Sequence, residues 1–104
     1  MHVLVNNAAF ISEELLVEGN TETWKRSFDV NVLALCIATR EAVKIMREND
    51  IKGHIVHINS ISGHNVVYVP KSNVYTATKF AVTALTETLR QELNVLGSKI
   101  KVSV

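Results

Sequence analysis

The sequence predicts an α/β fold built on a parallel sheet, in the order strand, long helix, strand, long helix, strand. Three observations carry this. Short apolar runs recur at Val3–Val5, Ile55–Ile58 and Ile100–Val104, and two long stretches between them keep helical spacing. Polar residues gather just after the first two runs, as Asn6-Asn7 and Asn59-Ser60. Strands this apolar, alternating with helices, are buried on both faces and joined by crossovers.

Each element has its own signal. Val3 to Val5 reads as a buried strand that ends in a loop at Asn6-Asn7. Asn20-Thr21 offers a helix N-cap, and Glu22 suits the positive end of the helix dipole. From Trp24 to about Glu48, Phe28, Leu35, Ala38 and Ala42 form the apolar face, opposite Arg40, Glu41 and Lys44. Asn49 to Gly53 is a turn before the second strand, Ile55, Val56 and Ile58. A long loop with Gly63 and Pro70 leads to a second helix, from about Asn73 to Leu96, which Gly97 caps. Ile100, Val102 and Val104 begin the third strand. In such sheets ligands sit beyond the carboxyl ends of the strands, where the polar residues here collect.

Composition narrows the class. A chain of 104 residues makes one small core, and no linker, repeat or low-complexity tract divides it. A net charge of +1 leaves no basic stripe for nucleic acid. No apolar run approaches the roughly 20 residues of a membrane span, and no signal-peptide pattern opens the chain. The lone Cys36 excludes an internal disulfide and fits a reducing, cytoplasmic setting. The mean hydropathy of +0.16 is high for a complete domain, and implies apolar faces meant for partners outside these residues.

Tyr75-Thr76-Ala77-Thr78-Lys79 is the sharpest chemical feature. Residues four apart on a helix share a face. A free phenol holds its proton too tightly to relay it at neutral pH. A Lys ammonium about 6 Å away, at an effective dielectric of about 20, favours the phenolate by roughly 2.8 kcal/mol. Such a Tyr can take a proton from an alcohol, or return it to a carbonyl oxygen, as a hydride moves. Spacing alone is weak, since two Tyr and seven Lys produce one such pair by chance roughly one time in eight.

Placement sharpens it. Leu4-Val5-Asn6-Asn7-Ala8-Ala9 resembles the Asn-Asn-Ala-Gly signature of short-chain dehydrogenase/reductases. Asn31 within Phe28-Asp29-Val30-Asn31-Val32 matches that family's Asn in the long helix, and Ser60-Ile61-Ser62-Gly63 its Ser-x-x-Gly motif. Tyr75 and Lys79 then complete an Asn-Ser-Tyr-Lys tetrad in order, and the resemblance covers essentially the whole chain. Asn31-Val32-Leu33-Ala34-Leu35 and Ala81-Val82-Thr83-Ala84-Leu85-Thr86-Glu87 look like the farnesol-dehydrogenase-like branch, with the dehydrogenase/reductase member eleven group.

The resemblance implies a Rossmann-type domain of which residues 1–104 supply the central catalytic part, about strands four to six, truncated at both ends. It implies an oxidoreductase using NADP, or NAD, on a hydrophobic alcohol or ketone, isoprenoid- or steroid-like. Tyr75 is then the acid/base. Lys79 holds the nicotinamide ribose and eases the phenol's deprotonation. Ser60 orients the substrate oxygen, and Asn31 anchors a water linking Lys79 to solvent. Asn6 and the Ala8 backbone lie along the cofactor, and Asn7 ties neighbouring strands. A homodimer or homotetramer is implied for the full-length form.

Two departures stand out. Ala9 replaces the usual Gly, and fifteen residues separate Ser60 from Tyr75 where many members have thirteen, which lands on Ser62. The Gly63 motif favours Ser60. No Gly-x-x-x-Gly-x-Gly phosphate loop exists among the four Gly. A non-catalytic product pairing through its two long helices is therefore the alternative. His54 and His57, three apart on a strand, face opposite ways and make no metal pair. Cys36 reads as packing, and Glu13-Glu14 as a solvated loop face. Leu85, Leu89 and Leu93 form a core or dimer stripe, and His64 lies in the substrate-side loop.

Overall fold

The computed structural model describes residues 2–7, 9–11, 13–58 and 73–104. Three strands, β1 (Val3–Asn6), β2 (His54–His57) and β3 (Lys101–Ser103), pair in parallel in that order. Val3 faces His54 and Asn6 faces His57 across the first ladder, while His54 faces Lys101 across the second. Between β1 and β2 run α1 (Thr21–Phe28), a wider-wound π segment (Asp29–Leu33) and α2 (Ala34–Glu48) as one continuous rod. A longer helix, α3 (Tyr75–Val95), joins β2 to β3.

Both crossover helices cover the same face of the sheet. Ile55 packs in one cluster with Ala42 and Met46 of α2 and Leu93 of α3, and Ile100 closes it. Side chains alternate along a strand, so Val3 and Val5 turn to the opposite face. There they are 58% and 53% exposed, an apolar surface with no cover among the described residues.

The caps follow local chemistry. The Asn20 side chain accepts from the Glu22 amide at 2.8 Å. Glu14 adds a second cap, accepting from the Asn20 amide at 3.0 Å and from the Thr23 hydroxyl. It is thus half-buried and structural rather than part of a solvated loop face. At the other end of the fold Gly97 sits at φ +68°. Its amide donates to Asn94 and the Ser98 amide to Leu93, the paired bonds of a Schellman stop.

The apolar face of the first helix holds Leu35 and Ala42 buried as expected, and departs at Phe28. Phe28 is 41% exposed, and the buried residues run Ser27, Asn31, Leu35 and Thr39, spaced by four, and then Ala42 and Met46. The π segment explains this: the Ala34 amide bonds Asp29 rather than Val30. Its wider turn keeps a four-residue repeat on one side, rotating Phe28 outward and Asn31 inward. Ile58, expected within the second strand, lies just past β2 and is exposed.

Gly53 fits where no other residue does. A Cβ there would meet the Met46 thioether and lie 2.8 Å from the His2 carbonyl. Met46 is flexible, but that carbonyl is fixed by the His54 amide at 2.9 Å, and the Gly53 carbonyl holds Lys101 at 2.9 Å. Gly53→Ala is expected to cost about 1–3 kcal/mol by overpacking. A urea melt of the protein with an unchanged midpoint would refute this contact.

Candidate active site

The carboxyl ends of β1 and β2 and the first turn of α3 converge, as parallel topology requires. Tyr75 is the first residue of α3, and Lys79 follows one turn later on the same side. The Lys79 ammonium lies 5.6 Å from the centroid of the Tyr75 ring. It is buried, and points toward the Ile58 carbonyl at 3.5 Å, just past the end of β2. Burial pulls Lys79 below the usual range for an amine. Among the described residues no carboxylate pairs with it. With one long contact among the described residues, this ammonium has N–H groups for ligand hydroxyls.

Asn31 is buried in the π segment, and both donors of its amide are used. Its Oδ1 accepts from the Phe10 amide at 2.7 Å and its Nδ2 donates to the Phe10 carbonyl at 2.9 Å. The second Nδ2 hydrogen goes to the Thr78 hydroxyl at 3.0 Å. That pattern fixes which end of the amide is nitrogen. Both side-chain donors are spent, so a water held by Asn31 must donate to it. Thr78 passes the connection on, donating to the Tyr75 carbonyl at 2.7 Å. The loop after β1, the π segment and the Tyr75 turn are therefore one braced unit. Arg26 lies over Phe10 at 4.8 Å and clamps that loop from α1.

Asn6 turns toward α2, donating to the Thr39 hydroxyl at 3.1 Å, while its carbonyl accepts from the Ile58 amide at 3.0 Å. Among the described residues it keeps its side-chain oxygen and the second Nδ2 hydrogen for a ligand. Asn7 is exposed. Ala8, Ser60, Ser62, Gly63 and His64 lie outside the described residues, and so does the long loop before Asn73.

Sequence reading missed the threonines. Thr39, Thr78 and Thr86 are all buried and hydrogen-bonded between elements. Thr78 lay inside the Tyr-to-Lys motif, so its spacing was available as a signal. The partners of Thr39 and Thr86 are far off in sequence. His57 packs between the helices and His54 bonds Ser103 at 2.7 Å, on opposite sheet faces as expected. Cys36, Leu85 and Leu89 line a groove of about 330 Å³ between α2 and α3, with Leu93 buried below.

The structure sets Tyr75 and Lys79 together at the mouth of a parallel sheet, with the buried Asn31 bracing the Tyr75 turn through Thr78. The family model of the short chain dehydrogenases matches residues 1–104. The chain belongs to the short-chain dehydrogenase family. It is 49% identical over 100 residues to human dehydrogenase/reductase SDR family member 11, covering 95% of this chain and 38% of that protein. It is 46% identical over 102 residues to the farnesol dehydrogenase of Aedes aegypti, covering 97% and 42% respectively. Among solved structures, a short-chain dehydrogenase/reductase of Burkholderia phymatum in complex with NAD superposes with a TM-score of 0.89 at 33% identity. That match covers 98% of this chain and 36% of that one. A 4-hydroxyisoleucine dehydrogenase complexed with NADH superposes at 0.87 with 32% identity, covering 97% and 43%. The short-chain dehydrogenase segment seen here thus spans about two fifths of the curated relatives it matches.

Proposed function

We propose that residues 1–104 are the catalytic middle of a single Rossmann-type domain that transfers a hydride between NAD(P) and a hydrophobic alcohol or ketone. The observation that carries this is Tyr75 beside the buried Lys79 ammonium, at the carboxyl end of the sheet. The isoprenoid- or steroid-like substrate class rests on the relatives, among them a farnesol dehydrogenase. NADP as the preferred cofactor rests on the motif resemblance alone, the solved neighbours holding NAD or NADH.

The residues present fit a nicotinamide cofactor. Among the described residues Lys79 keeps donors for ribose hydroxyls, and Asn6 keeps its side-chain oxygen and one amide hydrogen at the adjacent strand end. When bound, that cofactor supplies or accepts the hydride. Tyr75 holds or takes the proton on the substrate oxygen through its phenol. Lys79, 5.6 Å from the ring centroid, places a positive charge beside that phenol. Asn31 keeps the Tyr75 turn at a fixed distance from the loop after β1 through Thr78, and receives a water on its acceptor side. Ser60 donates to the same substrate oxygen. Pairing of the complete enzyme through α2 and α3 is supported by the partly apolar groove between them.

The serine assignment is tested by substitution in the complete enzyme. Ser60→Ala is expected to lower kcat far more than Ser62→Ala, because one hydroxyl meets the reacting oxygen beside Tyr75. Steady-state kinetics on a secondary alcohol reads the difference. If Ser62→Ala is the worse, the loop carries no two-residue insertion and Ser62 takes the role.

A further inference from the structure

A second polar network runs through His57, which packs between the sheet and both helices. This ring is 1% exposed and bonds two helices at once. Its Nδ1 lies 2.8 Å from the Thr86 hydroxyl of α3, and its Nε2 lies 3.3 Å from the Thr39 hydroxyl of α2. Thr86 commits its own proton to the Val82 carbonyl at 2.8 Å, so toward His57 it can only accept. Nδ1 must therefore carry the ring proton. Nε2 then accepts from Thr39, which itself accepts from Asn6 at 3.1 Å. All bonds point one way: Asn6 to Thr39 to His57 to Thr86 to Val82.

We propose that His57, as the neutral Nδ1–H tautomer, is a positioning residue that fixes where α3 sits on β2, and hence where Tyr75 and Lys79 stand. The inference rests on the catalytic reading of those two residues. Thr86, Val82 and Lys79 follow one buried stripe of α3, with Tyr75 a turn further on. A bond from β2 to Thr86 thus fixes both the rotation and the height of the stripe. The same strand end presents the Ile58 carbonyl to Lys79, so His57 and Lys79 are two grips of one strand on one helix. Burial supports the neutral ring, lowering its proton affinity. The charged groups lining the groove beside it, Arg40 from α2 and Glu92 from α3, are exposed. Arg40 is paired with Glu41, and Cys36 completes the titratable lining.

An Asn amide reproduces the Nδ1 side of an imidazole, and a Gln amide the Nε2 side. In the complete enzyme, His57→Asn should keep the bond to Thr86 and hold kcat within about threefold, whereas His57→Gln should lower it about tenfold or more with little change in KM, as misplacement does. Thr86→Ser and Thr86→Val provide a second pair should the histidine variants fail to fold. Ser keeps the acceptor and the rate, and Val loses both. Equal kcat within either pair overturns the proposal. ¹⁵N NMR of the wild-type ring at neutral pH should show a protonated Nδ1 and a bare Nε2. The opposite tautomer, or a charged ring, also overturns it. Tyr75→Phe run alongside separates the two readings: full activity there sinks the catalytic assignment, while the tautomer is still decided by NMR.

Discussion

Replacing Tyr75 by Phe in the complete enzyme is expected to lower kcat by roughly 10² to 10⁴, the usual cost of losing a general acid/base. The structure makes this a clean substitution. Thr78 bonds the Tyr75 carbonyl, not the phenol, so the Asn31–Thr78–Tyr75 brace survives it. The Lys79 ammonium keeps an aromatic face at 5.6 Å, since Phe retains the ring. Only the phenol hydroxyl, the proposed proton relay, is removed. Stability should therefore stay within about 0.5 kcal/mol, as for changes away from core contacts. KM should move little, because a group acting in the transition state lowers kcat and kcat/KM together. Kinetics on a model secondary alcohol in both directions reads the result. A loss of less than about fivefold ends the acid/base assignment.

What the sequence made legible follows the range of the interaction. Strands β1, β2 and β3 are short apolar runs, and the Asn20 and Gly97 caps act on residues within a few positions. All were readable. Tyr75 and Lys79 were readable for the same reason, since one turn of helix separates them. Phe28 was misplaced because an unbroken α-helical period was assumed across Asp29–Leu33, where one wider turn rotates what precedes it. The bonds Asn6–Thr39, Thr39–His57 and His57–Thr86 span 33, 18 and 29 residues, and no local pattern announces them. Each threonine looks alone like an ordinary helix residue. Only the parallel register, which sets Asn6 opposite His57, brings them together.

The 104 residues prepared alone are expected to associate, and to show no useful affinity for NADPH. Val3 and Val5 present an uncovered apolar face, at 58% and 53% exposure. Among the described residues the outer edges of β1 and β3 are unpaired as well. Open apolar faces and bare strand edges recruit further chains. Cofactor binding fails for a separate reason. A dinucleotide is anchored chiefly by its pyrophosphate, against a glycine-rich turn and helix N-terminus, and four scattered Gly make no such turn. The start of α1 is closed to an anion, because the Glu14 carboxylate already sits there. Among the described residues what remains is Lys79, the Tyr75 phenol and the free side of the Asn6 amide. A few hydrogen bonds at about 1 kcal/mol net do not offset the roughly 4 kcal/mol or more of lost translational and rotational freedom. Light scattering should therefore report particles larger than the 11.5 kDa chain, and calorimetric titration with NADPH no binding heat. A monomer that takes up NADPH at micromolar concentration would show that Lys79 and its neighbours hold the cofactor without a phosphate loop.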